Sequence, residues 1–323
     1  MPEGYHHLTY GQRCQIFTLN KRKESQSAIA RELQVHRSTI CRELKRSKNR
    51  EAYDHDQAHK TAQDKRKPLL SKENKFSRLS SIIEEKLKQQ WSPVQISGRL
   101  KKDGLGEISH ETIYKYIWID KKQGGILYKN FRHQGKKYNK RGKGTSGRGC
   151  IPGRIDITER PLIVEEKIRV GDWELDTIIG GDHEGAIVSM VDRATKYTKL
   201  EKVSYKTAHE VGDAIVKALS PIREFVHTLT ADNGKEFAHH KRISKELEAS
   251  MYFATPYHSW ERGLNEHTNG LVRQYFPKGM RFDEITEEQL RLVEFALNNR
   301  PRKVLSFETP MEAFQKLTAK QTL

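Results

Sequence analysis

Three acidic residues in the second half of the chain, Asp176, Asp232 and Glu266, stand in settings from which carboxylates could hold a divalent cation. Asp176 lies inside the apolar segment 173–179, where alternation predicts a strand and a buried carboxylate needs a compensating charge. Asp232 ends the predicted strand 225–231, and the carboxyl ends of strands are where α/β sheets place ligands. These settings predict a site at one edge of a sheet.

Glu266 completes the set from a helical segment. It shares a stripe with Asn269 and Arg273, three and seven residues later, so polar groups line one face of a helix that must pack near the sheet. Three converging carboxylates repel each other unless cations lie between them, and hard oxygen ligands select Mg²⁺ or Mn²⁺. Two such ions, about 3.5–4 Å apart, activate an attacking oxygen and stabilise a leaving oxygen on phosphorus. The trio therefore predicts phosphodiester chemistry with two Mg²⁺ or Mn²⁺ ions.

Each acid also has an ordinary structural explanation when it is considered alone. A strand Asp serves as a turn or cap residue, Asp232 with Asn233 and Gly234 forms a tight turn, and a helical Glu supplies surface charge. The joint order of the three acids and their surroundings favour the catalytic interpretation.

The charge of the chain is divided unevenly along its length. Of 323 residues, 59 are Lys or Arg and 42 are Asp or Glu, which gives a formal net charge of +17. Residues 1–150 hold 34 basic and 15 acidic residues, whereas residues 151–323 hold 25 and 27. All the excess positive charge lies in the first half. This is typical of a protein that binds a polyanion through one part and has a different activity in the other.

The sequence also excludes several classes of protein. No stretch approaches the roughly 18 consecutive apolar residues of a membrane span, and the amino terminus lacks the apolar stretch of a signal peptide. Three scattered cysteines make neither a disulfide framework nor a CxxC zinc pair. A reducing cytoplasm fits these features best, and we expect no membrane partner.

The pattern of hydrophobic residues predicts a multidomain chain. Its fold class is an α-helical helix-turn-helix amino-terminal part followed by an α/β ribonuclease-H-like catalytic domain with a mixed five-stranded sheet. The strands are predicted near 173–180, 186–192, 196–203, 225–231 and 251–254, and the helices near 207–219, 235–249, 260–275 and 287–298. The predicted divisions are 1–66 (helix-turn-helix), 67–130 (second helical DNA-binding domain), 131–165 (basic glycine-rich linker) and 166–323 (catalytic domain).

A helix-turn-helix is predicted near the amino terminus. Helix one starts after Thr9, with an apolar face comprising Tyr10, Cys14 and Phe17. Ser25 caps the second helix, and the third follows a break at residues 34–36. The third helix turns Ile40 and Leu44 inward, so its outer face is rich in donors for the major groove. The candidate DNA contacts are Arg37, Ser38, Thr39, Arg42, Lys45 and Arg46. The alternative is a three-helix bundle with a solvated basic face.

A second helical pair is predicted from Ser92, which caps a helix with Ile96 and Leu100 inward, to a helix that begins after Ser109. His110 and Lys115 face outward as candidate DNA contacts, and a purely structural pair is an equal alternative. The linker that follows has five glycines and seven basic residues between 131 and 149. Its candidate phosphate contacts are Lys136, Lys137, Lys140 and Arg141.

Three blocks of the second half resemble those that characterise DDE transposases, and specifically the bacterial insertion-sequence family IS30. The similar blocks are residues 171–180, 230–237 and 261–279, with 33 residues between Asp232 and Glu266. The helix-turn-helix resembles the family less closely, because Gln34 replaces the usual glycine and His36 stands where Ser often caps.

The resemblance implies roles for individual residues. Asp176 would bridge both metal ions, and Asp232 and Glu266 would complete the two ligand shells. Glu174 and Glu236 would have supporting roles at most. Supporting residues that orient the strand or the scissile phosphate would be Asn265, Asn269 and Arg273.

The implied function is that of a transposase. It would bind the terminal inverted repeats of its own element, cut at the ends with water, and join the freed 3′-hydroxyls to target DNA. The partners would be double-stranded DNA, as transposon ends and as target, and a second copy of the chain in a homodimer or higher assembly. The alternatives are a DNA-binding repressor with an inert integrase-like scaffold and a structure-specific DNA nuclease.

Overall fold

The computed structural model describes residues 7–47, 50–64, 70–132, 151–255 and 263–321. The chain divides into two compact units, residues 1–78 and 79–323. None of the helices within the described ranges has the length and hydropathy that a membrane span requires.

The first unit is built of short helices. Their bounds are Tyr10–Lys21 (α1), Gln26–Glu32 (α2), Arg37–Leu44 (α3) and His55–Asp64 (α4), and α5, Leu70–Lys88, continues into the second unit. Ser25 caps α2 as predicted, and Thr9 caps α1; their hydroxyls accept backbone N–H groups that the first helical turn leaves unpaired. Helices α1, α2 and α3 share a hydrophobic core that contains Ile16, Ile29 and Ile40, which are fully buried.

The predicted apolar face of α1 is correct at Phe17, which packs against the core, and wrong at Tyr10. Tyr10 is 46% exposed, and the buried positions of the helix are Arg13, Ile16 and Leu19. The guanidinium of Arg13 lies 2.7 Å from the carboxylate of Glu43 on α3, and both side chains are almost fully buried. A charged residue therefore occupies an inner position of α1, and the spacing of apolar residues does not predict it.

The second unit contains one mixed sheet of six strands, not the five predicted. The strands are Ile155–Asp156 (β1), Asp172–Ile179 (β2), Ala186–Asp192 (β3), Thr198–Val203 (β4), Thr228–Ala231 (β5) and Ser250–Phe253 (β6), in the order β1-β6-β5-β2-β3-β4. Strands β2, β3 and β4 are antiparallel neighbours, whereas β5, β6 and β1 join β2 in the parallel half. The missed strand, β1, has two residues, too few to show a period of two in the sequence.

Helices cover both faces of the sheet. Those after the linker are Ile163–Glu166 (α8), Ala208–Leu219 (α9), His240–Leu247 (α10), Gly263–Tyr275 (α11), Glu287–Asn298 (α12) and Pro310–Gln321 (α13). The helix predicted over 235–249 is a 3₁₀ turn at Lys235–Phe237 followed by α10. Along β2, Leu175 belongs to the core under α9 and α10, and Ile178 to the core under α11 and α12. Asp176 therefore shares the face of β2 on which α11 lies.

Two further helices precede the sheet in the second unit, Pro93–Lys102 (α6) and His110–Lys122 (α7). Ser92 and Gln95 form the predicted capping box, and Ser109 caps α7. The predicted inner positions Ile96 and Ile113 are buried. Helix α6 is tied to α13 by two hydrogen bonds from Arg99 to Glu312, at 2.6 and 2.7 Å.

Candidate active site

Two of the three acids lie on neighbouring strands. Strands β2 and β5 run parallel, and Glu174 is paired with Thr230. Extending this register by two residues places Asp176 beside Asp232, at the carboxyl end of β5. Neighbouring strands are about 4.8 Å apart, so both carboxylates start from adjacent backbone positions at one edge of the sheet.

The side chain of Asp176 is half-buried and oriented by hydrogen bonds. Asn269 on α11 donates its amide to Oδ2 at 2.7 Å, and the backbone N–H of Thr177 donates to Oδ1 at 2.9 Å. The hydroxyl of Ser189 on β3 donates to the other side of the Asn269 amide at 2.9 Å. Three elements, β2, β3 and α11, thus fix one carboxylate.

Asp232 is placed by the tight turn that follows β5. Its Oδ1 accepts the backbone N–H of Gly234 at 2.9 Å, and the Asn233 amide donates to the carbonyl of Ala254 at 2.7 Å. A Cβ on Gly234 would contact the carboxylate of Glu236, so a larger residue here would require the Glu236 side chain to shift. Glu236 also accepts the hydroxyl of Thr177 at 3.0 Å, so a fourth carboxylate lies beside the same edge.

Helix α11 runs along β2 through a ladder of polar contacts. Asn265 donates to the carbonyl of Leu175 at 3.0 Å, and Arg273 donates to the carbonyl of Ile179 at 2.5 Å. Asn269 lies midway between them, at four-residue intervals that share one helix face. Glu266 lies on the same side of the helix as Asn269 and Arg273, three and seven residues later, and its side chain is exposed. Glu266 directly follows Asn265, whose amide contacts the carbonyl of Leu175, the residue before Asp176.

The acids supply the oxygen ligands that hard divalent cations prefer, but they lie too far apart for all three to bind one shared ion. Among the described residues, the trio of potential ligands within 4.8 Å of one another is Asp54, His55 and Asp56, and the acids of the sheet edge do not meet this limit. One ion bound at about 2.1 Å would need all three carboxylates closer than that. Two ions about 3.5–4 Å apart, with one carboxylate between them, allow the outer two to be wider apart. The oxygen-only donor set is that of Mg²⁺ or Mn²⁺.

A buried ion-pair network lies behind Asp176 and was not foreseen from the sequence. Glu174, on the same face of β2, is 2.6 Å from the guanidinium of Arg193, and both side chains are almost fully buried. Arg193 also contacts Glu165 at 2.9 Å, and Arg160 donates to Thr230 on β5 at 2.9 Å. Strand alternation reveals the position of Glu174, whereas its partner lies in a turn that no local pattern connects to it.

The predicted DNA-contact residues of α3 differ in how firmly they are held. Arg42 donates to the carbonyl and the hydroxyl of Ser38, at 3.1 and 2.9 Å. Arg46 pairs with Glu43 at 2.8 Å. Arg37 and Lys45 are exposed and make no side-chain hydrogen bond or ion pair with the rest of the described chain, so they remain available to a polyanion. Thr39 is half-buried beside them.

The turn of the helix-turn-helix uses the residues that depart from the family pattern. Gln34 adopts a left-handed φ of 51°, the conformation for which glycine is usual. The Nδ1 atom of His36 accepts the backbone N–H of Ser38 at 3.2 Å, so an imidazole replaces the usual hydroxyl cap of α3.

The second helical pair exposes its predicted contacts, His110 and Lys115. The predicted linker contacts lie outside the described residues; they are Lys136, Lys137, Lys140 and Arg141.

Comparison with known proteins gives matches over nearly the whole chain. A family model described as a helix-turn-helix domain matches residues 4–47. The transposase for insertion sequence element IS4351 of Bacteroides fragilis is 47% identical over 313 residues, 96% of each chain. The transposase InsI for insertion sequence element IS30A of Escherichia coli (strain K12) is 35% identical, over 96% of this chain and 84% of that protein. Among solved structures, the catalytic core domain of BIV integrase is 22% identical over 47% of this chain and 97% of that chain, with a TM-score of 0.37, too low to support an inference.

Proposed function

The chain belongs to the insertion-sequence transposases of the IS30 family, and from this membership we propose which of its residues perform each part of DNA transposition. The protein binds DNA and catalyses DNA strand cleavage and strand transfer. We assign the catalytic role to Asp176, Asp232 and Glu266. The observation that carries this assignment is the parallel register of β2 and β5, which when extended pairs Asp176 with Asp232, together with the hydrogen bond from Asn269 of α11 to Asp176.

These three carboxylates would hold two divalent cations, Mg²⁺ or Mn²⁺. When bound, the ions supply Lewis-acid activation of the attacking oxygen and charge stabilisation of the leaving oxygen. Asn269 orients the Asp176 carboxylate, and the turn through Gly234 orients Asp232. The strand order, three antiparallel strands followed by parallel strands and helices, supports a ribonuclease-H-like catalytic domain. We propose that this domain comprises residues 166–323 together with β1, which belongs to the same sheet.

DNA would be bound mainly through the basic first half of the chain. Arg37 and Lys45 on α3 are the contacts we favour in the helix-turn-helix, because neither is held by another described side chain. Phosphate contacts release counterions, so affinity for the ends would fall steeply with salt. Two ends must be brought together for transposition, and we propose a homodimer or higher assembly on that ground.

The test is an assay of strand transfer with pre-cut element ends and a target duplex. With Mg²⁺ we expect a covalently joined product, and none after chelation. Hydrolysis without joining would indicate a nuclease. Binding without any covalent change, in Mg²⁺ or Mn²⁺, would indicate a repressor and contradict the proposal.

A further inference from the structure

A basic cleft lies beside α11, between this helix and residues 127–132. Its volume is about 620 Å³, and its lining contains four basic residues, Lys129, Arg132, Arg273 and Lys278. No acidic residue is among the described residues that line it. Four cations around one cavity repel each other, so an anion within the cavity would lower the free energy of the arrangement.

Arg132 shows this excess of charge most clearly. Its guanidinium lies against α11 at Gly270, where an added Cβ would be 2.4 Å from it. Within the described ranges it makes no hydrogen bond or ion pair, and partial burial lowers its pKa. The segment that follows it, residues 133–150, contains no Asp or Glu that could neutralise it. The glycine on α11 thus makes room for a cation whose counter-charge the neighbouring chain does not supply.

A second guanidinium is buried behind the cleft. Arg300 is 3% exposed, and it donates to the side chain of Gln274 at 3.2 Å and to the hydroxyl of Tyr275 at 2.6 Å. Its Nε atom has no partner among the described residues. A buried charge with only neutral partners is costly, and an anion in the adjoining cleft would offset part of that cost. Burial, and then the charge of Arg300, also lower the pKa of neighbouring Arg302 to about 10.

The position of the cleft relative to the acids indicates the ligand. Gly270 and Arg273 lie on the same side of α11 as Glu266, four and seven residues further along. Seven residues of α-helix span about 10 Å, which corresponds to about three base pairs along a duplex. Given the proposed function, we propose that this cleft binds a phosphodiester group of the DNA strand, about three nucleotides from the one at which the carboxylates act. Bound there, it would fix the strand's position relative to Glu266.

The experiment removes one phosphate charge from the DNA and one side-chain charge from the protein, alone and together. Single methylphosphonates are placed at successive positions of a pre-cut end duplex, and the affinities of the full chain, Arg132→Gln and Lys278→Gln are compared. Lys245→Gln removes an exposed charge from α10 and is the control. Losing a charged hydrogen bond costs about tenfold in affinity. We expect one position, two to four nucleotides from the cut, where a methylphosphonate lowers the DNA affinity of the unsubstituted protein and of Lys245→Gln about tenfold. At the same position it should lower the already reduced affinity of Arg132→Gln only a little further.

Lys278 is exposed, so its variant keeps the test valid if Arg132→Gln does not fold. Additive losses at every position, in both cleft variants, would overturn the proposal. If the unsubstituted protein still joined pre-cut ends in that case, the cleft assignment alone would be wrong. If it joined none, the proposed function would fail independently.

Discussion

Asp176 and Glu174 occupy the same face of β2, yet their surroundings give them different chemistry. The carboxylate of Glu174 lies 2.6 Å from the guanidinium of Arg193, so its charge is neutralised inside the protein. Asp176 is held by the neutral amide of Asn269 at 2.7 Å, which orients the carboxylate without cancelling its charge. Strand alternation predicts the shared face of these two acids. It does not predict that Glu174 pairs with an arginine, because Arg193 lies in a turn that no local pattern connects to it.

We expect Asn269→Ala to slow strand transfer by about 10- to 100-fold, as is typical when a partner that orients a metal ligand is removed. The concentration of Mn²⁺ that gives half-maximal rate should rise, because Asp176 must then be ordered when the ion binds. Gln123→Ala, which removes an exposed amide from the end of α7, is the control. Loss of rate with an unchanged Mn²⁺ requirement would indicate that Asn269 only stabilises the fold.

Helices and strands of the chain differ in how far local sequence determines them. Caps at Ser25 and Ser92 are predictable because a hydroxyl bonds an N–H only two or three residues away. The inner face of α1 is not, because Arg13 is buried by pairing with Glu43 on another helix. The ladder of α11 on β2 is intermediate: its spacing is visible in the sequence, but the strand that it contacts is not.

For α3, we expect Lys45→Gln to lower the slope of log affinity against log salt concentration by about 0.9, the value for one phosphate contact. The measurement is a salt titration of duplex binding. Lys60→Gln, an exposed charge on α4, should leave the slope nearly unchanged. Equal slopes for all three proteins would remove Lys45 from the DNA-contact surface.

In the whole molecule, the division of charge is visible from composition, but the extent of the second unit is not. The helices α6 and α7 belong to the same compact unit as the sheet. The contact of Arg99 with Glu312 joins residues more than 200 positions apart, and a ring at Phe307 packs where a Cβ on Gly98 would be only 2.2 Å away. Such pairings form only in the complete fold and cannot be read from local sequence. The division of the chain into four parts stays a prediction.

The Arg99 contact makes a prediction about pH. Hydrogen bonding to Arg99 lowers the pKa of Glu312 to about 2 from an ordinary 4.5, so its contribution to stability is present above about pH 4.5 and lost toward pH 2. The side chain is 42% exposed, so we expect only about 1 kcal/mol. The difference in unfolding free energy between the unsubstituted chain and Glu312→Gln should shrink from pH 5 to pH 2. Glu246→Gln, in a looser surface pair at 3.6 Å, should show little difference at any pH.

The most direct test of the central claim is the rate of joining of pre-cut ends by Asp176→Asn, Asp232→Asn and Glu266→Gln, measured beside end binding. Because several kcal/mol of charge stabilisation depend on these ligands, each variant should lose about 1000-fold in rate while binding ends nearly as tightly as the unsubstituted protein. Asp213→Asn, which alters an exposed acid on α9, should join at the full rate. Full joining activity in any one of the three variants would contradict the assignment of these carboxylates.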